Sequence, residues 1–207
     1  MDDEDYSTYL EVLDSSAKSN AVEIYAYALL PNEIQLLAAG ISENCISRMM
    51  QAIGRVYVRK FNKKYAKTGS PWEGRFRSST IEVDTGFLDC MRYVESAPLR
   101  AHVATSLEQY LWSSYRLHAG IATRGAVSGH PQYWSLGNTP FEREAMYRAL
   151  AADQLTEQRH NEIAAAILKG RPLGSETFLQ NLSTLTAHNL MPAKRGRPVK
   201  SPQAFKV

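Results

Sequence analysis

VEIYAYALLPNEIQLLAAGISENCISRMMQAIGRVYVRKFNKKY, Val22 to Tyr65, decides how the chain folds. Val22, Ile24, Ala26 and Ala28 alternate with Glu23, Tyr25 and Tyr27, the two-residue period of a strand over Val22 to Leu30. Pro31-Asn32 is a turn, and Glu33 to Ala39 is a short second strand, so the first half reads as a hairpin closed by Gly40. Within it, Ile34 and Leu36 point to the core while Glu33 and Gln35 share the outer face. Ser42 or Asn44 then caps a helix. Ile46, Met49, Met50, Ile53, Val56 and Tyr57 recur at three- and four-residue steps, continued by Phe61 and Tyr65, the spacing of one buried helical face.

The charges of that helix and the loop behind it are one-sided. Between Cys45 and Arg77 stand nine bases, Arg48, Arg55, Arg59, Lys60, Lys63, Lys64, Lys67, Arg75 and Arg77, against one acid, Glu73. Residues 1–14 hold six carboxylates and no base, and five more bases follow Pro192. The net charge of +3 is small, but a chain polarised in this way can orient on a polyanion. Ammonium and guanidinium groups beside aromatic rings suit a nucleic-acid strand, though a solvated helix face has the same composition.

Outward from the hairpin, Asp2 to Ser19 reads as a helix with Tyr6, Tyr9, Leu10 and Leu13 on its apolar side and acids in its first turn. TGSPWEGRF is a loop, Ser78 to Val83 a third strand, and the helical period returns from Thr85 with Phe87, Leu88, Met91, Tyr93 and Val94, ending before Pro98. Leu107 to Gly120 is a turn and a short helix that sets Trp112 and Tyr115 against the core. The organisation is a domain over 1–120, a loop over 121–139, a helical section over 140–190 and a flexible basic tail over 191–207. Its helices are expected over Pro140 to Ala152, Glu157 to Lys169 and Ser175 to Ala187. This order is α+β: a ferredoxin-like split βαβ sheet lacking its usual first strand, followed by a small helical C-terminal section. The missing strand is a central one. Its loss leaves unpaired backbone groups on two neighbours, to be met by another segment, a partner chain or a strand encoded upstream.

Composition excludes several classes. The chain has 207 residues, 44% hydrophobic and 22% charged, as in a soluble globular protein. No stretch is apolar enough for a membrane span and the acidic N-terminus is not a targeting segment, so no membrane partner is expected and the location is cytoplasmic by default. Cys45 and Cys90 lack metal-like or disulfide-like spacing and read as small buried hydrophobes.

Four runs in collinear order, LLPNEIQLL (Leu29 to Leu37), MMQAIGRVYVRKFNKKYAKTGSPWEGRFRSS (Met49 to Ser79), CMRYVESAPLRA (Cys90 to Ala101) and WSSYRLHA (Trp112 to Ala119), resemble the REP-associated tyrosine transposases. These are single-tyrosine members of the HUH endonuclease superfamily. The resemblance implies a ferredoxin-like core that recognises single-stranded or hairpin DNA and works as a homodimer in DNA transposition. It also implies a divalent metal, magnesium or manganese, held by a His–hydrophobic–His pair, and a helix-borne tyrosine that attacks the phosphate to leave a 5′-phosphotyrosine link. Carried over, the metal pair falls on Glu33 and Gln35 and the nucleophile on Tyr93. Neither metal position is a histidine, Ser96-Ala97 stands where the family has a polar-Asn pair before the proline, and the leading strand is missing. A carboxylate with an amide oxygen holds even a hard ion only weakly.

Arg48, Arg55, Arg59, Lys60, Lys63 and Lys64 are the expected phosphate contacts, with Trp72, Arg75 and Arg77 following in the loop and Lys194, Arg195 and Arg197 as a DNA-contacting arm. Trp72 can equally anchor its loop to the core. Two functional readings stay open: a nicking and strand-transfer enzyme working through Tyr93, and a DNA-binding protein derived from one that has lost the chemistry. His102 and His118 are the histidines placed to replace a metal ligand.

Overall fold

The computed structural model describes residues 2–186; Met1 and residues 187–207, with Lys194, Arg195 and Arg197, lie outside the described residues. Helix α1, Asp3–Ser19, starts at a capping box in which the Asp2 and Asp5 side chains each accept the other's backbone N–H. Strands β1, Val22–Leu29, and β2, Ile34–Gly40, pair antiparallel as the expected hairpin. Helix α2, Cys45–Tyr65, follows at once, and Gly40 permits the tight hand-over: a Cβ there would lie 2.8 Å from the Cys45 Cβ. Asn44 occupies the cap position in the left-handed region and makes no side-chain capping bond, so neither expected cap acts as one.

β1 is buried on both faces, with Glu23 its exposed residue. A bulge between Ile24 and Ala26 sends Tyr25 and Ala26 to the same side and changes the strand's parity. Val22, Ile24, Tyr27 and Leu29 meet α1 and α2 on one face, while Tyr25, Ala26, Ala28 and Leu30 meet the later helices on the other. The alternation had suggested that Tyr25 and Tyr27 lie on a polar face. Both are buried, because helices cover both sides of the sheet and tyrosine is apolar enough to pack there.

The sheet among the described residues has two strands. Residues 78–83 form no third one. With no central strand to pair with, this segment turns to the helical section: the Leu173 N–H donates to Thr80 O at 2.8 Å and the Glu82 N–H to Leu173 O at 2.8 Å. The outer edge of β1 is closed by the chain itself. Leu29 N–H donates to Trp112 O at 2.8 Å, Ser114 N–H to Tyr27 O at 2.9 Å and Ser128 N–H to Ile24 O at 2.6 Å. No strand pairs with the outer edge of β2 among the described residues, so that edge keeps the unpaired side the missing strand would have met. The result is α+β: a helix, an open two-stranded sheet of split βαβ type, and a run of helices.

That run is α3 (Val83–Glu95), α4 (Ala97–Arg100), α5 (Tyr115–His118), α6 (Pro131–Trp134), α7 (Pro140–Ala152), α8 (Glu157–Lys169) and α9 (Glu176–Thr186). The short α6 interrupts what sequence suggested was a loop; His130 caps it through its ring nitrogen and stacks on Phe87. A buried carboxylate fastens the later helices to the first half. Glu95, 1% exposed at the end of α3, accepts from Ser114 Oγ at 2.5 Å and Tyr147 Oη at 2.5 Å and meets His118 Nδ1 at 2.6 Å. The CMRYVESAPLRA and WSSYRLHA runs therefore meet at one polar knot. Cys45 and Cys90 are buried free thiols, as expected. No helix among the described residues is long and apolar enough to cross a membrane.

Candidate nucleic-acid interface and tyrosine site

α2 buries the ridge Cys45, Met49, Ile53 and Tyr57 against α1 and the sheet. At 100° per residue, Arg48, Arg55 and Arg59 fall on one stripe on the side away from that ridge, spanning about 16 Å of helix. All three are exposed, as are Lys60, Lys63, Arg75 and Arg77. Among the described residues, Arg48, Arg55, Arg59, Lys60, Lys63, Arg75 and Arg77 form no ion pair with a carboxylate. Val56, expected inside, is 45% exposed beside this stripe.

Lys64 is differently placed. It sits at 2.7, 2.8 and 3.1 Å from carboxylate oxygens of Asp2, Glu4 and Asp5, and Tyr65 Oη donates to Asp5 at 2.6 Å. Burial would raise the Asp5 carboxyl, but hydrogen bonds from Tyr65, the Asp2 N–H and Lys64 outweigh it and hold the group below its usual range. The charge of Lys64 is thus already matched within the chain. Trp72 lies 6.0 Å from the Tyr57 ring and 6.4 Å from Tyr9, 37% exposed, so it anchors its loop while leaving part of the ring in solvent.

Tyr93 lies on α3, 7% exposed, between two side chains the sequence did not associate with it. From one side comes Arg100. Pro98 starts the turn of α4 that folds the chain back, and the guanidinium carbon ends 4.0 Å from the centre of the Tyr93 ring. Arg100 Nη1 donates to Tyr93 O at 2.5 Å and to Ser96 Oγ at 2.6 Å, and Nη2 donates to Gln35 Oε1 at 3.3 Å. Gln35 Nε2 in turn donates to Glu33 Oε1 at 2.9 Å. The two positions expected to hold a metal and the expected nucleophile are therefore brought together, with Arg100 between them. From the other side comes His160 of α8, its ring 5.0 Å from that of Tyr93 and its Nε2 buried without a hydrogen-bond partner. Ile163 of α8 packs against Cys90 and Tyr93 below it.

A divalent ion does not fit these residues. Glu33 and Gln35 bond to each other, the Gln35 oxygen already accepts from a guanidinium, and that cation would repel a second one. Among the described residues no group of three or more His, Cys, Asp or Glu is placed to hold a metal. His118 is committed to Glu95, and His102 is exposed. Arg100 was legible in principle, since it stands in the quoted CMRYVESAPLRA run seven residues after Tyr93. Nothing in the sequence links His160 to Tyr93 across 67 positions, the difference of their numbers.

The histidines give a pH prediction. Burial, then the nearby Arg100 charge, pushes His160 below its ordinary 6.5, and burial pushes His130 down as well. Each binds its proton more readily in the unfolded chain, so their contribution to stability is complete above about pH 6.5 and falls as the pH drops through the lower folded values. Urea midpoints at pH 8, 6.5 and 5 are expected to decline below pH 6.5, and the decline should be smaller in His160→Gln. An unchanged decline in that variant would contradict the assignment.

A family model described as "Transposase IS200 like" matches residues 1–97, a span that holds α1, the hairpin, α2 and Tyr93. No curated protein and no solved structure matches the chain.

Proposed function

From the premise that residues 1–97 are of the IS200-like transposase family, we propose that this chain is a DNA-binding protein derived from such a transposase, recognising single-stranded or hairpin DNA. The observation that carries the reading is the stripe of Arg48, Arg55 and Arg59, exposed and unmatched by any carboxylate among the described residues. Phosphates supply the counter-charge, and binding then weakens with salt. Lys60, Lys63, Arg75 and Arg77 are further exposed bases. Trp72, on the Tyr57 side of α2, keeps part of its ring in solvent, and Lys194, Arg195 and Arg197 would add a basic arm. Lys64 serves the fold instead. The homodimer expected of the family keeps one physical reason, the unpaired outer edge of β2.

Nicking through Tyr93 is the second reading, favoured by the closeness of Tyr93 to residues 33 and 35 through Arg100. A tyrosine hydroxyl, with an ordinary pKa near 10, is a weak nucleophile unless the phosphate is polarised. The Glu33–Gln35–Arg100 chain does not suit the ion that would do this. The test is incubation with a hairpin-bearing single-stranded oligonucleotide, with and without manganese. The expected result is a mobility shift with no denaturant-resistant adduct. An adduct that disappears in Tyr93→Phe would establish nicking in place of binding alone.

A further inference from the structure

We infer that the Arg100 guanidinium is a built-in cation that binds one DNA phosphate beside Tyr93, at the place where a metal ion would otherwise be expected; this rests on the DNA-binding reading above. Three observations carry it. First, Arg100 is half-buried and, among the described residues, forms no ion pair with a carboxylate. Glu33 is close enough to favour its charge, but Glu33 is exposed and its carboxylate is turned to the Gln35 amide. A partly desolvated charge without a direct partner is costly, and an anion relieves that cost.

Second, the donors are only partly used. A guanidinium has five N–H groups. Those on Nη1 go to Tyr93 O and Ser96 Oγ, and one on Nη2 goes to Gln35 Oε1. Nε and the second Nη2 hydrogen are left without partners among the described residues, and adjacent guanidinium donors match two oxygens of one phosphate. Third, the orientation is fixed in advance. The Tyr93 ring supports the cation at 4.0 Å, and the Gln35 amide, held by Glu33 at its other end, sets the plane of the fork. The phosphate so bound lies next to the Tyr93 side chain, whose hydroxyl makes no hydrogen bond among the described residues. The same positive charge repels a divalent ion.

The experiment is fluorescence anisotropy of a labelled hairpin-bearing single-stranded oligonucleotide, titrated with the full chain in EDTA and in magnesium over a range of salt. Wild-type affinity is expected to be the same within about twofold in both buffers. Arg100→Gln should weaken binding about tenfold and lower the salt slope by about 0.7, the loss of one contact to a single strand. Arg100→Lys should recover the slope. Gln35→Glu, a half-exposed position, keeps the proposal testable if Arg100→Gln does not fold: its carboxylate would pair with Arg100 and weaken binding in EDTA to a similar extent. A chain that needed metal there would instead bind more tightly in magnesium with this variant. Wild-type affinity retained in both Arg100→Gln and Gln35→Glu, or wild-type binding lost in EDTA, overturns the inference and leaves the DNA-binding reading standing. A wild-type chain that ignores DNA altogether overturns that reading, and this inference with it.

Discussion

Glu95→Ala is expected to lower the unfolding free energy by about 3–5 kcal/mol, the summed cost of leaving three buried polar partners without a shared acceptor. The carboxylate is 1% exposed and gathers Ser114 (0% exposed), His118 and Tyr147 (0% exposed), which together with Glu95 belong to three different segments. Alanine leaves three buried polar groups without this acceptor, each costing about 1–3 kcal/mol where no other partner replaces it. Ser114 retains bonds to Tyr27, which tempers the loss there. Tyr147 does not: burial first, and then Glu95, pushes its hydroxyl well above 10, so it stays a neutral donor throughout the accessible pH range. Tyr147→Phe removes one donor and leaves the carboxylate its other partners, so its expected cost is about 1 kcal/mol. Urea unfolding followed by circular dichroism measures both. A Glu95→Ala chain within 1 kcal/mol of wild type would mean that the other contacts of the helical section, among them the Arg159–Asp89 ion pair and the Leu173 backbone bonds, hold it on without this knot.

The largest functional effect is expected from Arg48→Gln, Arg55→Gln and Arg59→Gln made together. The three side chains are exposed and form no ion pair with a carboxylate among the described residues, and the one bond lost, from Arg48 Nη2 to Cys45 Sγ at 3.4 Å, is weak, so their removal should change stability by no more than about 1 kcal/mol. Each contact to a single strand contributes about 0.7 to the slope of log affinity against log salt, so the triple variant should lose about 2 from that slope. At 50 mM salt its affinity should fall roughly a hundredfold. Lys64→Gln is the control. That ammonium is held by Asp2, Glu4 and Asp5, so its loss should leave the slope in place and instead loosen the junction of α1 with the end of α2.

The hairpin and α2 were legible because their hydrophobic periods, two and then about 3.6, change at Gly40. The burial of β1 on both faces was not. Tyrosine counts as polar in an alternating pattern and as apolar in a core, and a bulge at Tyr25 leaves no mark in composition. Residues 78–83 carried the pattern of a strand, yet a strand needs a neighbour, and the pairing of Ile81 with Leu173 was decided 92 positions away, the difference between 173 and 81. The same holds for the closure of the β1 edge by residues 112–114. At the tyrosine site the sequence placed Tyr93, Glu33 and Gln35, and it could not place Arg100 among them. That contact depends on how α4 turns back at Pro98 and on the hydrogen bonds of a single amide.

The most direct test of the DNA-binding assignment is the salt dependence of hairpin-bearing single-stranded DNA binding by the wild-type chain, compared with the Arg48/Arg55/Arg59 triple variant under the same conditions. The expected result is tight wild-type binding at low ionic strength that weakens steeply with salt, and a variant that keeps its fold while losing about 2 from the slope. Equal slopes for the two chains, or no wild-type binding at the lowest salt, would contradict it.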